Sequence, residues 1–264
     1  MNLTISLAQS SFEVGNVEDN FEKGAANIVE AASLGSNIIL LPELWASGYD
    51  LENWRSYATG ISDGIFARVA FLAKKHNIAI GGSLLELHNG RAYNTFVLFS
   101  PKGSPWAIYR KIHLFRLLNE DKYLQAGEKL VFAKKPWDSV GLATCYDLRF
   151  PEIFQYYSQG GARLILLVAE WPKNRIMHWT KLLQARAIEN QTFFAGVNKV
   201  GFSNSVRLGG CSAIIDPWGV PIVSNEDDDI LLTAEIDLRE TEKVRRYIPV
   251  RQDRRPDLYN RLIT

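Results

Sequence analysis

The feature that most narrows what this chain can become is a recurrence of short apolar segments, each of single-strand length, separated by turns and by helical patterns. Residues 3–9, 37–44, 78–85, 93–99 and 106–111 read as strands, several with period-two alternation. A second set follows at 140–146, 163–169, 192–199, 211–216 and 230–238. Three helical patterns interleave with them. The span 17–33 follows Asn16, a candidate N-cap, and carries Phe21, Ala25, Ile28, Val29 and Ala32 at three- and four-residue spacing before Gly35 stops it. Ser62 is placed to cap a helix running to about His76, with Ile65, Val69 and Leu72 on one stripe. Residues 175–190 bear Trp179, Leu182, Leu183 and Arg186 at the same spacing. Strand, helix and strand in succession, in the first third and again over 140–197, predict right-handed crossovers with helices covering sheet faces. The class is α/β.

No linker, repeat or low-complexity stretch divides the chain, so residues 1–264 are expected to form a single domain. The two halves resemble each other in element order, as a pseudo-symmetric pair of sheets would. The stretch 241–264, rich in arginine, tyrosine and proline, reads either as an arm that packs on a partner or as a solvated tail.

Charge excludes several function classes. Thirty basic against 29 acidic side chains leave a net charge of +1, which offers no general attraction for nucleic acid or an anionic membrane. The longest apolar runs, 38–41 and 164–169, fall far short of the roughly 20 residues that span a bilayer. The first ten residues lack lysine and arginine and alternate like a strand, unlike a secretory signal, so the expected compartment is the cytoplasm. Two cysteines are too few for a disulfide framework, and each has to be explained as a thiol. There is no GxSxG elbow, GxxxxGK[ST] loop, GxGxxG, HExxH or CxxC, and the four histidines show no ligand spacing, so no metal site is expected.

Three segments end an apolar strand with a reactive side chain. The first, LLPELWASGY, runs through Pro42 into Glu43, at the strand end where ligands gather in an open α/β sheet. The second, YRKIHLF, sets Lys111 among aromatic and apolar neighbours, where its charge needs a partner; Glu43 and Glu120 are the candidates. The third, VGLATCYDLRFPE, delivers Cys145 to a turn ahead of Pro151, which suits the first turn of a helix. Such an elbow exposes a thiol and brings backbone N–H groups close to it. Cys211, after Gly209 and Gly210 with no acid or base beside it, reads as structural. A thiol of pKa about 8.5 needs help at neutral pH, and here a carboxylate and a lysine are better placed than any histidine.

Together these segments resemble the nitrilase superfamily of carbon-nitrogen hydrolases, which carries a Glu-Lys-Cys set in that chain order. The resemblance extends through Trp171-Pro172, residues 183–190, Asn198 to Gly201 and residues 210–219, covering nearly the whole chain. It implies a four-layer α-β-β-α sandwich that pairs as a homodimer through helices and C-terminal segments. It implies Glu43 as base, Cys145 as nucleophile, Lys111 and the Tyr146 backbone N–H as oxyanion donors, a thioester intermediate, and no cofactor. Glu120 matches the family's second glutamate, with Glu128 as its rival. KIHLFR, CYDLRFPE and the WPxxR pattern from Trp171 to Arg175 are similar to omega-amidases, which deamidate omega-amides of dicarboxylates; Trp171, Arg149 and Arg175 are then the expected substrate-binding residues, either arginine serving as carboxylate anchor. Arg149 is equally open to a structural ion pair. One departure is Glu170, an acid ahead of the tryptophan where such proteins usually have an uncharged residue. The other readings are an amidase for deaminated glutathione, a carbamoyl-amide hydrolase, a true nitrilase, or a binding module that kept the fold without the chemistry.

Overall fold

The computed structural model describes residues 2–133, 136–137 and 139–259. Its strands are β1 (Asn2–Gln9), β2 (Ile38–Leu40), β3 (Ala79–His88), β4 (Arg91–Phe99), β5 (Pro105–Arg110), β6 (Phe132–Ala133) and β7 (Val140–Thr144). They continue as β8 (Leu164–Ala169), β9 (Phe193–Asn198), β10 (Phe202–Ser203), β11 (Val206–Arg207), β12 (Ala213–Ile215), β13 (Pro221–Ser224) and β14 (Ile230–Asp237). The main helices are α1 (Val17–Ser33), α2 (Gly64–His76), α3 (Pro151–Gln159), α4 (Ile176–Asn190) and α5 (Glu240–Tyr247).

Two six-stranded sheets result, one in the order β14-β1-β2-β3-β4-β5 and the other β13-β12-β9-β8-β7-β6. In each, the central strands are parallel and joined by crossover helices, β1 to β2 to β3 in the first and β7 to β8 to β9 in the second. Parallel strands are buried on both faces, which is why β2 and β8 read as continuous apolar runs. The strand period sorts their side chains: Ile38 and Leu40 join Leu142, Leu166 and Phe193 in the core between the sheets, while Ile39 joins Phe66 and Val69 under α1 and α2. On the opposite side Ile165, Leu167 and Phe194 pack with Phe154 of α3 and Leu183 of α4. The layers are therefore helix, sheet, sheet, helix, as expected. Gly141 is required by close packing on β7, where a Cβ would lie 2.6 Å from Ile165 Cδ1 and 2.7 Å from Tyr157 Cγ.

Several boundaries differ from expectation. The strand expected over 37–44 ends at Leu40, because Pro42 cannot donate to a ladder and Leu44 turns with φ 43°. The strand expected over 211–216 begins only at Ala213, since Gly210 and Cys211 both have positive φ. Asn16 precedes α1, but its side chain donates to Asp19 and Glu13 instead of capping the helix. Asp63, not Ser62, precedes α2. The short strands β6, β10, β11 and β13 and helix α5 carry too little period to be read beforehand. The described part of the 241–264 stretch lies on its own chain: Arg245 donates to the Ala162 carbonyl and the Thr192 hydroxyl, and Arg251 to Ser158. Residues 260–264 lie outside the described residues. Among the described residues no helix is long and apolar enough to cross a membrane.

Candidate active site

The C-terminal ends of β2 and β8 meet the loop after β5 and the turn after β7, and the reactive residues converge there. Glu43, just beyond β2, is wholly buried. Its Oε1 accepts from Asn94 Nδ2 at 2.8 Å and Lys111 Nζ at 2.8 Å, and its Oε2 from the Glu170 backbone N–H at 2.9 Å. Lys111 follows β5, and its Nζ also lies 2.6 Å from Glu120 Oε1. Glu120, at the head of a single helical turn, accepts further hydrogen bonds from the Tyr49 hydroxyl at 2.6 Å and the Phe115 N–H at 2.9 Å. One buried ammonium thus bridges two buried carboxylates, an arrangement in which removing the ammonium leaves both acids without their cation. Both partners expected of Lys111 are present. Glu128, by contrast, is exposed in a separate surface groove with His88 and Arg110.

Cys145 opens a short 3-10 helix, Cys145–Arg149, with φ 45°, a left-handed conformation that a side chain adopts only under constraint. Asp147 supplies the constraint. Its buried carboxylate accepts from the Thr144 N–H at 2.9 Å, the Tyr109 hydroxyl at 2.7 Å, and His113 through both its N–H at 3.1 Å and Nδ1 at 2.8 Å. The elbow is thereby tied to the lysine loop. Tyr146 is next in the chain, in the first turn of a helix whose leading N–H groups have no intrahelical acceptor. Pro151 then starts α3 at its first position.

Electrostatics set the resting protonation. Burial pushes the Cys145 thiol well above its ordinary value, the Glu43 carboxylate adds to this, and Lys111 opposes it. Burial alone would raise Glu43 too, but the Lys111 ammonium and hydrogen bonds from Lys111, Tyr49 and Cys145 hold it below the usual carboxylate range. Glu120 is raised, chiefly by burial, with Lys111 opposing and Glu43 reinforcing the rise. Lys111 stays charged, since its two carboxylates outweigh its burial. The resting pair is thiol and carboxylate, not thiolate and acid.

A narrow cavity reaches Cys145 and is lined by Tyr49, Phe115, Tyr146, Glu170, Trp171 and the two expected arginines. Arg149 lies 4.9 Å over the Trp171 ring and 3.2 Å from His178 Nδ1; Arg175 lies 5.7 Å over Phe115. Among the described residues neither guanidinium has a carboxylate within ion-pair distance, so the structural ion pair open for Arg149 is not formed. The unexpected acid Glu170 is buried, and its Oε2 is 2.5 Å from Nζ of Lys199, itself buried. Cys211 sits apart, half-buried, its carbonyl accepting from Trp179.

The Carbon-nitrogen hydrolase family model matches residues 4–246. The chain belongs to this family. It is 40% identical over 261 residues to a 2-oxoglutaramate amidase of Bacillus subtilis, covering 98% of this chain and all of that protein. It is 33% identical to an omega-amidase of Mus musculus, covering 97% of each. A CN-hydrolase superfamily protein of Xanthomonas campestris, solved with an arsenic adduct in its active site, superposes with a TM-score of 0.88 at 30% identity, covering 97% of this chain and 98% of that one.

Four residues of this carbon-nitrogen hydrolase had no role assigned from the sequence: Tyr49, Asn94, Asp147 and Lys199. Tyr49, Asp147 and Lys199 stood inside matching motifs. Asn94 had its own signal, being a residue depleted in strands yet set inside the expected strand YNTFVLF.

Proposed function

We propose that this carbon-nitrogen hydrolase is an omega-amidase, converting omega-monoamides of short dicarboxylates, such as 2-oxoglutaramate and succinamate, to the dicarboxylate and ammonia. The observation that carries the reading is one cavity lined by a thiol and two guanidinium groups lacking carboxylate partners, with the buried Glu43-Lys111-Glu120 set next to that thiol. The names of the relatives in Bacillus subtilis and Mus musculus support the same substrate class. A binding module has no use for three buried charges beside a cysteine, which favours an enzyme.

In the proposed reaction the Cys145 sulfur attacks the amide carbonyl as its proton passes to Glu43. Lys111 and the Tyr146 N–H hold the developing oxyanion. The C–N bond breaks as Glu43 returns the proton to departing ammonia, leaving a thioester. Water then attacks, giving a proton to Glu43; the C–S bond breaks and the proton returns to sulfur. Glu120, hydrogen-bonded to Lys111, keeps that ammonium in place. The far carboxylate would pair with Arg149 or Arg175 at the mouth beside Trp171, so chain length and charge are read together. The proposed enzyme works in the cytoplasm as a homodimer; the exposed apolar side chains of Ile188, Trp218, Val220 and Tyr247 support pairing through α4 and the C-terminal segment.

The test is ammonia release across succinamate, 2-oxoglutaramate, succinamide, butyramide, carbamoyl compounds and nitriles. The omega-monoamides are expected to be hydrolysed fastest. Arg149→Met or Arg175→Met, whichever is the anchor, should raise KM for succinamate by roughly tenfold to a hundredfold and leave butyramide little changed, as for loss of a hydrogen bond to a charged group. Preference for neutral amides or carbamoyl compounds in the unaltered protein would refute the omega-amidase reading.

A further inference from the structure

The cavity wall contains an acid where an anionic substrate would be repelled. Glu170 follows β8 directly, lines the cavity with Arg149 and Arg175, and is 3% exposed. Its carboxylate takes no bond from either arginine. Instead Lys199, which follows β9 and is 1% exposed, reaches it from behind. Lys199 Nζ also lies 3.4 Å from the Leu44 carbonyl, and its backbone N–H donates to the Ala169 carbonyl at 3.3 Å. The Glu170 N–H, in turn, holds Glu43. Glu170 therefore touches the catalytic carboxylate through its backbone and shares the cavity wall with the arginines.

We infer that Glu170 and Lys199 form a specificity-determining pair, in which Lys199 cancels the charge of Glu170 and leaves the arginines free to select a substrate carboxylate. The inference rests on the omega-amidase reading and adds to it which residues set the field in the cavity. Lys111 is already committed between Glu43 and Glu120, so Lys199 is the cation that answers Glu170. Without it the wall that holds the proposed anchor would carry an uncompensated negative charge, and charges lining one partly dry cavity interact more strongly than in bulk water. The same neutrality removes Glu170 as a counter-ion for an ammonium group, so amides bearing a free amine gain nothing from it.

The test compares kcat/KM for succinamate with that for butyramide, a neutral amide of equal chain length, in a two-residue cycle. Lys199→Met should lower the succinamate-to-butyramide ratio by roughly tenfold or more, and Glu170→Gln, which leaves Lys199 unanswered, should raise it. The double variant should return to within about threefold of the unaltered protein. A merely structural pair would reduce both substrates alike and leave the ratio unmoved in every variant, which would overturn the inference; so would single variants that shift it in the same direction. Should Lys199→Met not fold, Glu170→Gln still decides, since a ratio at or below that of the unaltered protein contradicts the inference. If the unaltered protein itself prefers butyramide, the omega-amidase reading fails, while opposite shifts in the two single variants would still establish the pair.

Discussion

Cys145→Ala and Cys145→Ser are each expected to give a folded protein without measurable amidase turnover. Only the sulfur can form the proposed thioester, and neither replacement adds bulk to a residue that is already buried and held at φ 45° by its turn. The serine hydroxyl has no partner able to deprotonate it as readily as Glu43 does the thiol. Cys211→Ala should keep most activity, since that thiol lies outside the Cys145 cavity. Ammonia release beside thermal unfolding checks all three variants. Loss of activity in Cys211→Ala with normal unfolding would exchange the roles of the two thiols.

The second large effect belongs to the charges around that sulfur. Glu43→Gln keeps the shape of the side chain but cannot cycle a proton, and is expected to lower kcat by about 10²–10⁴ with KM little changed. Lys111→Ala should lower kcat by at least about 10²–10³, the usual worth of an oxyanion donor, and should also destabilise the fold by about 3–5 kcal/mol by leaving Glu43 and Glu120 buried without their cation. Unfolding curves separate those two consequences. The unaltered enzyme should also lose activity on the acid side only as pH falls through the depressed Glu43 value, below the ordinary carboxylate range, because the base must be ionised to act. Near-normal turnover in either variant would show that the Glu43-Lys111-Cys145 set is not the machinery.

The layer architecture was legible because its signal is collective: apolar runs such as Leu164–Ala169 and the stripe on Val17–Ser33 repeat a period over many residues. Helix α1 has the expected boundaries, and the helix expected over 175–190 differs by a single residue. Short elements were illegible for the complementary reason, since β6 and β10 span two residues each, too few to repeat a period, and simply pair with the next strands β7 and β11. At the site, Glu43, Lys111 and Cys145 could be picked out because each ends an apolar strand. Glu120 needed the resemblance to separate it from Glu128, and the structure brings only Glu120 to Lys111. What the sequence could not carry is partnership across distance. Asn94 bonds to Glu43 and Lys199 to Glu170 through the order of strands within a sheet, and Asp147 to Tyr109 through the docking of one sheet on the other, none of them by local spacing. The acid at Glu170 looked like an obstacle to an anionic substrate only while Lys199 was out of view.

The central claim is that Cys145 carries the acyl group of an omega-monoamide. Rapid acid quenching of the enzyme during succinamate turnover, followed by peptide mass spectrometry, tests it most directly. A succinyl thioester on the peptide containing Cys145, absent from Cys145→Ala and released by hydroxylamine, is the expected result. Ammonia release by Cys145→Ala at the rate of the unaltered protein, or an acyl group found on Cys211 instead, would contradict it.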